Sequence, residues 1–144
     1  MTIELSTREW ASVADGEKLD TLTVRVTLRK LIIDVAGTRD LYPIHHDRDF
    51  AKANGARDIF VNTMFYEALF GRIATDWAGP EAFLRKVAFT MRSPNCLGDT
   101  LTSRAWVLQK YEASGEKLVD LEVRLDNQLE NDVTVANLSV QLPK

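Results

Sequence analysis

The chain has 144 residues, 45% of them hydrophobic and 27% charged, with a formal net charge of -3. That length supports a real core within one domain spanning 1–144, and the acidic balance, with a pI near 5.4, argues against a nucleic-acid binder, which carries a basic excess. A single cysteine, Cys96, excludes an intrachain disulfide, and no apolar run reaches the length of a membrane span; with a polar stretch over residues 1–10 and no signal-peptide core, the sequence predicts a cytoplasmic protein without a membrane partner.

In chain order, Ala14-Asp15-Gly16-Glu17 reads as a turn. Residues 22–35 read as a half-buried strand, because Val24, Val26 and Leu28 alternate with Arg25, Thr27 and Arg29. After Gly37 comes a polar, proline-bent segment, then a short helix over 47–54, capped by an Asp and stopped by Gly55. Residues 62–77 are the long-helix candidate, capped by Asn62 or Thr63 and ended by Gly79-Pro80. Phe65, Ala68, Leu69 and Ile73 recur there at helical spacing, and Ala68, Gly71 and Ala74 offer small surfaces to a wrapping sheet. Gly71 costs about 1 kcal/mol in a helix interior, which suggests a packing reason for it. Four strand-like runs follow, over 84–92, 100–111, 117–127 and 133–142, punctuated by Gly98-Asp99, Ser114-Gly115 and Glu130-Asn131-Asp132. The order gives an α+β fold, an antiparallel sheet with one long central helix.

The chemistry concentrates between Thr38 and Asp49, where Asp40 and His45 flank Pro43. A carboxylate and an imidazole held by one rigid turn can grip a single water between them. His46 reads as structural or solvent-facing, Asp47 as the cap of the next helix, Asp99 as the residue that fixes its turn, and Cys96 as a small loop or core residue. The adjacent histidines and the distant Cys96 suggest neither a metal nor a redox cofactor, since side chains of neighbours on an extended strand point apart. Arg85, Lys86, Arg92 and Arg104 are exposed-strand or phosphate-contact positions, and Trp77 and Trp106 read as core or interface aromatics.

The pattern Asp40-x-x-Pro43-x-His45 resembles the signature of the MaoC-like (R)-specific enoyl-CoA hydratases, and Pro94-x-x-x-Gly98-Asp99-Thr100-Leu101 resembles a turn of the same family. Leu142-Pro143 is similar to its ending. Three further blocks, His45-His46-Asp47-Arg48-Asp49, Asp58-Ile59-Phe60-Val61-Asn62 and Thr75-Asp76-Trp77-Ala78-Gly79-Pro80, resemble the small MaoC-like hydratase subunits of bacterial steroid side-chain degradation. The resemblance implies a hotdog fold, catalytic roles for Asp40 and His45, and a coenzyme A thioester as substrate rather than cofactor. It also implies a homodimer, or a heteromer with a second MaoC-like chain. The reaction implied is hydration of a trans-2-enoyl-CoA to a 3-hydroxyacyl-CoA in steroid side-chain β-oxidation, with a steroid acyl-CoA as substrate. The amides at Asn62 and Thr63, at the start of the long helix, are the substrate-binding candidates for the thioester oxygen. Many relatives carry Ala-His-Gly-Met there, where this chain has Val61-Asn62-Thr63-Met64. Two rival readings are a hotdog thioesterase using Glu67, otherwise a helix-surface residue, and a non-catalytic partner subunit. The dyad favours the hydratase over both.

Overall fold

A computed structural model describes residues 6–143; the polar reading of residues 1–5 lies outside them. The elements run β1 (Thr23–Arg25), α1 (Leu28–Thr38), a 3-10 turn at Pro43–His45, α2 (Arg48–Ala53), α3 (Thr63–Ala78), β2 (Phe83–Met91), β3 (Thr100–Ala113), β4 (Glu116–Asp126) and β5 (Thr134–Leu142). The strands form one sheet in the order β1-β3-β4-β5-β2 with every pair antiparallel.

The sheet is hydrophobic on one face because its strands alternate. Val119, Leu121, Val123 and Leu125 of β4 point inward with Ala136, Leu138, Val140 and Leu142 of β5, while Glu122, Arg124 and Asp126 face outward. Register irregularities between Val107 and Gln109 and between Leu84 and Lys86 add local twist, which helps the sheet curl. The β3–β4 hairpin turns on Ser114 and Gly115, both at positive φ, as a tight primed turn requires. The helix α3 fills the concave face with Tyr66, Leu69, Phe70, Ile73, Ala74 and Ala78.

Three expectations need correction. Residues 22–35 are not one strand: β1 ends at Arg25, and Leu28–Thr38 is a helix. Thr27 caps it by accepting the Lys30 amide at 3.3 Å, and the helical spacing then buries Leu31 and Val35. The β-branched run Ile32-Ile33 imitates a strand, but both side chains are exposed. Gly37 accordingly lies within α1, immediately before the dyad segment. On α3 the expected Leu69 and Ile73 are buried, together with Tyr66 and Phe70, but the other two residues of the expected stripe are not. Phe65 is half-buried and Ala68 exposed, both turned towards α1. Nor does packing require glycine at 71, since an added Cβ would meet only Leu84 Cδ2, at 3.9 Å.

Candidate active site

The site begins where α1 ends. Arg39 caps the helix in the left-handed region (φ 57, ψ 25), which reverses the chain and leaves Asp40 at its mouth. Pro43 at the start of the 3-10 turn suits the fixed φ of its ring, and the Pro43 carbonyl accepts the amides of His46 at 3.1 Å and Asp47 at 2.7 Å. Asp47 in turn caps α2, its Oδ1 accepting from Asp49 and Phe50. This compact double turn brings His45 Nε2 to 3.4 Å from Asp40 Oδ2. The His45 ring is 10% exposed and the Asp40 side chain 26%, so neither group is sealed from solvent. His46 is exposed.

On the far side of the ring, His45 Nδ1 lies 2.8 Å from the Phe60 carbonyl oxygen. A carbonyl can only accept, so Nδ1 carries the hydrogen and the Nε2 lone pair of the neutral ring faces Asp40. The Phe60 ring packs edge-on against the imidazole with centroids 5.1 Å apart, and Tyr42 stands at 6.4 Å.

The Phe60 carbonyl is itself held in place. Segment 59–61 pairs with the turn 95–97 through Val61 N–H to Asn95 O at 3.2 Å and Leu97 N–H to Ile59 O at 2.9 Å. Asp99, 1% exposed, organises that turn. Its Oδ2 accepts the Cys96 amide at 2.7 Å and Arg57 Nη2 at 2.7 Å, and its Oδ1 accepts Gln128 Nε2 at 2.7 Å. Burial pushes the Cys96 thiol up, away from the thiolate a nucleophile needs.

Asn62 is 2% exposed and its side chain is engaged at both ends. Oδ1 caps α3 by accepting the Phe65 amide at 3.0 Å, and Nδ2 donates to Thr38 Oγ1 at 2.8 Å. The Asn62 amide lies 3.4 Å from Asp34 Oδ2, while the amides of Thr63 and Met64 have no partner among the described residues. The free donors of this helix start are therefore those of Thr63 and Met64, and Asn62 acts there through its side chain. Glu67 is exposed on α3 without a polar partner among the described residues. Arg85 and Arg104 are engaged with Glu116 and with Asp126 and Asp132, respectively.

Between α1 and α3 runs a groove of about 360 Å³, lined chiefly by Val24, Ile33, Met64, Phe65, Ala68 and Leu69, with Asp34 and Thr38 at one side.

Among known proteins, the model of the MaoC like domain matches residues 11–129. The chain belongs to the MaoC-like family. It is 36% identical over 104 residues to the beta subunit of 3-oxo-4,17-pregnadiene-20-carboxyl-CoA hydratase of Mycobacterium tuberculosis, covering 72% of this chain and 78% of that one. It matches the ChsH1–ChsH2 complex of the same organism with a TM-score of 0.83 at 29% identity, over 90% of this chain and 98% of the matched chain. The R-hydratase PhaJ1 of Pseudomonas aeruginosa gives a TM-score of 0.83 at 24% identity, over 96% and 87%, a likeness that speaks for the fold alone. The fold is the hotdog, with α3 as the central helix.

Sequence reasoning about this MaoC-like chain missed two features of this region. One is the Phe60 carbonyl, a backbone atom that leaves no mark on residue type. The other is Asp34, hidden in a run read as a strand. Its signal was the spacing to Thr38, which puts both on one helix face.

Proposed function

We propose that this MaoC-like chain is an enoyl-CoA hydratase subunit that adds water to a trans-2-enoyl-CoA through Asp40 and His45. The observation that carries the reading is the confrontation of two acceptors. With Nδ1–H donated to Phe60, both Nε2 of the neutral ring and Asp40 Oδ2 offer lone pairs across 3.4 Å. A water placed against both donates one hydrogen to each. His45 then takes a proton as the water oxygen bonds to the β-carbon, and the π electron pair moves towards the α-carbon and the thioester oxygen. The α-carbon receives a proton from the dyad, with addition on one face. The Thr63 and Met64 amides at the positive end of α3 suit the oxygen on which charge develops.

Steroid acyl-CoA as the substrate class is supported by the likeness to a pregnadiene-carboxyl-CoA hydratase subunit. An assembly with a second MaoC-like chain, or with another copy, is supported by the related ChsH1–ChsH2 complex. It is also supported by β2, an edge strand whose outer side has no pairing partner among the described residues.

The test follows the enoyl-thioester absorbance together with free thiol, using a short straight-chain and a steroid enoyl-CoA. Loss of the band without thiol release is the expected outcome, faster with the steroid. Thiol release would instead establish a thioesterase. An unchanged band, with and without a MaoC-like partner chain, would refute hydration.

A further inference from the structure

Asp34 is a carboxyl in an unusual position. It projects from α1 into the side of an otherwise largely apolar groove and touches the start of α3. One of its oxygens, Oδ2, meets the Asn62 amide at a long 3.4 Å, and the other has no partner among the described residues. No cation among the described residues answers it. Lys30, one turn earlier on α1, places Nζ 2.9 Å from the Arg25 carbonyl. Arg72, across the groove on α3, pairs with Asp76. Asp40 and His45 lie within electrostatic reach beyond the end of α1; the Asp40 charge opposes ionisation, and the His45 ring favours it only when it carries a second proton. Burial is the largest influence, and the carboxyl is held above its ordinary value.

We propose that Asp34 is a further substrate-binding residue, a carboxyl that carries its proton when the groove is filled and donates it as a hydrogen bond to the acyl-thioester oxygen beside the Thr63 and Met64 amides. The proposal rests on the reading of the site as one for an acyl-CoA. An ionised Asp34 at this place would oppose the negative charge that builds on that oxygen. The protonated acid offers a donor from its unpartnered side while Oδ2 keeps the Asn62 amide. An apolar ligand that displaces water from the groove shifts the balance further towards the neutral acid. Asparagine preserves this arrangement, one oxygen to accept and one NH₂ to donate, whereas alanine does not.

The experiment is calorimetric titration of the full chain with butyryl-CoA, a saturated thioester that cannot be hydrated. Buffers of differing ionisation heat across about pH 5 to 8 bracket the carboxyl and imidazole ranges. The wild type should take up a fraction of a proton on binding. Asp34→Asn should bind within about threefold of wild type with that uptake abolished, and Asp34→Ala should bind about tenfold or more weakly. The same uptake in Asp34→Asn, wild-type affinity in Asp34→Ala, or no binding by the wild type would overturn the proposal. The two readings fail separately. Proton uptake through Asp34 in a protein that leaves the enoyl band unchanged refutes hydration and keeps the donor. Hydration with no uptake does the reverse.

Discussion

Asp99 and Asp34 are two aspartates at different depths, the first buried and the second half-buried, and they live in opposite company. Asp99 is almost completely buried yet meets a backbone amide, a guanidinium and a side-chain amide. Asp34 is less buried and has one long contact and no cation. The first is spent on holding a turn. The second retains a free oxygen at the side of the groove between α1 and α3. Full satisfaction of a buried polar group fixes structure, and incomplete satisfaction leaves capacity for a ligand.

The largest expected effect breaks the satisfied member. Asp99→Ala leaves the Cys96 amide and the Gln128 side chain without their acceptor and removes the partner of Arg57. It should cost about 3 kcal/mol in chemical denaturation. A loss within about 0.5 kcal/mol, the range of an ordinary surface change, would mean that the turn holds itself. The dyad is next. Asp40→Asn and His45→Ala should each lower kcat for enoyl-CoA hydration by about 10²-fold or more with little change in melting temperature. An unchanged rate in both variants would remove the dyad from the mechanism.

The third prediction concerns the sign of pH dependence. Asp34 has its pKa raised above 3.8 in the folded chain, so the native state holds this proton more tightly than the unfolded one. Its contribution to stability therefore falls as pH rises from that ordinary value through the folded value. Asp34→Asn should melt higher than wild type at pH 7, with the advantage shrinking towards pH 3. Asp126 runs the other way. Arg104 holds its carboxyl below 3.8, so its contribution is present above that value and is lost as pH falls through the folded one. Asp126→Asn should melt lower at pH 7. The same sign in both variants at pH 7 would dissolve the contrast. Finally, Gly71→Ala should stabilise by about 0.5–1 kcal/mol in a denaturant titration, because it adds helix propensity and the new methyl reaches ordinary contact with Leu84. Destabilisation would show a tighter neighbour at that face.

The legible parts of the fold were those in which one physical requirement acts locally. The strands β3 to β5 bury one face, so their alternation marks them in the sequence. The caps of α2 and α3 use Asp47, Asn62 and Gly79, residues whose side chain or backbone freedom suits an end. The helix α1 was obscured because Ile32, Ile33 and Val35 favour strands, and the capping bond at Thr27 with the burial of Leu31 and Val35 outweighs that preference. Asp40 and His45 could be paired from a short stretch because one turn joins them. Asp34 could not, because its meaning comes from Asn62, reached only after α1 forms and packs beside α3. Misplacing α1 thus hid a residue of the groove as well as an element of the fold.

The bond from His45 to the Phe60 carbonyl has a consequence for how such a protein can change over generations. The group that dictates which imidazole nitrogen bears hydrogen belongs to the main chain, so replacing the side chain at position 60 leaves it in place. That side chain also borders a separate hollow shared with Met91, Arg92 and Pro94. Mutation can therefore remodel the contour of that hollow while the tautomer is inherited unchanged, which uncouples drift in shape from loss of proton chemistry.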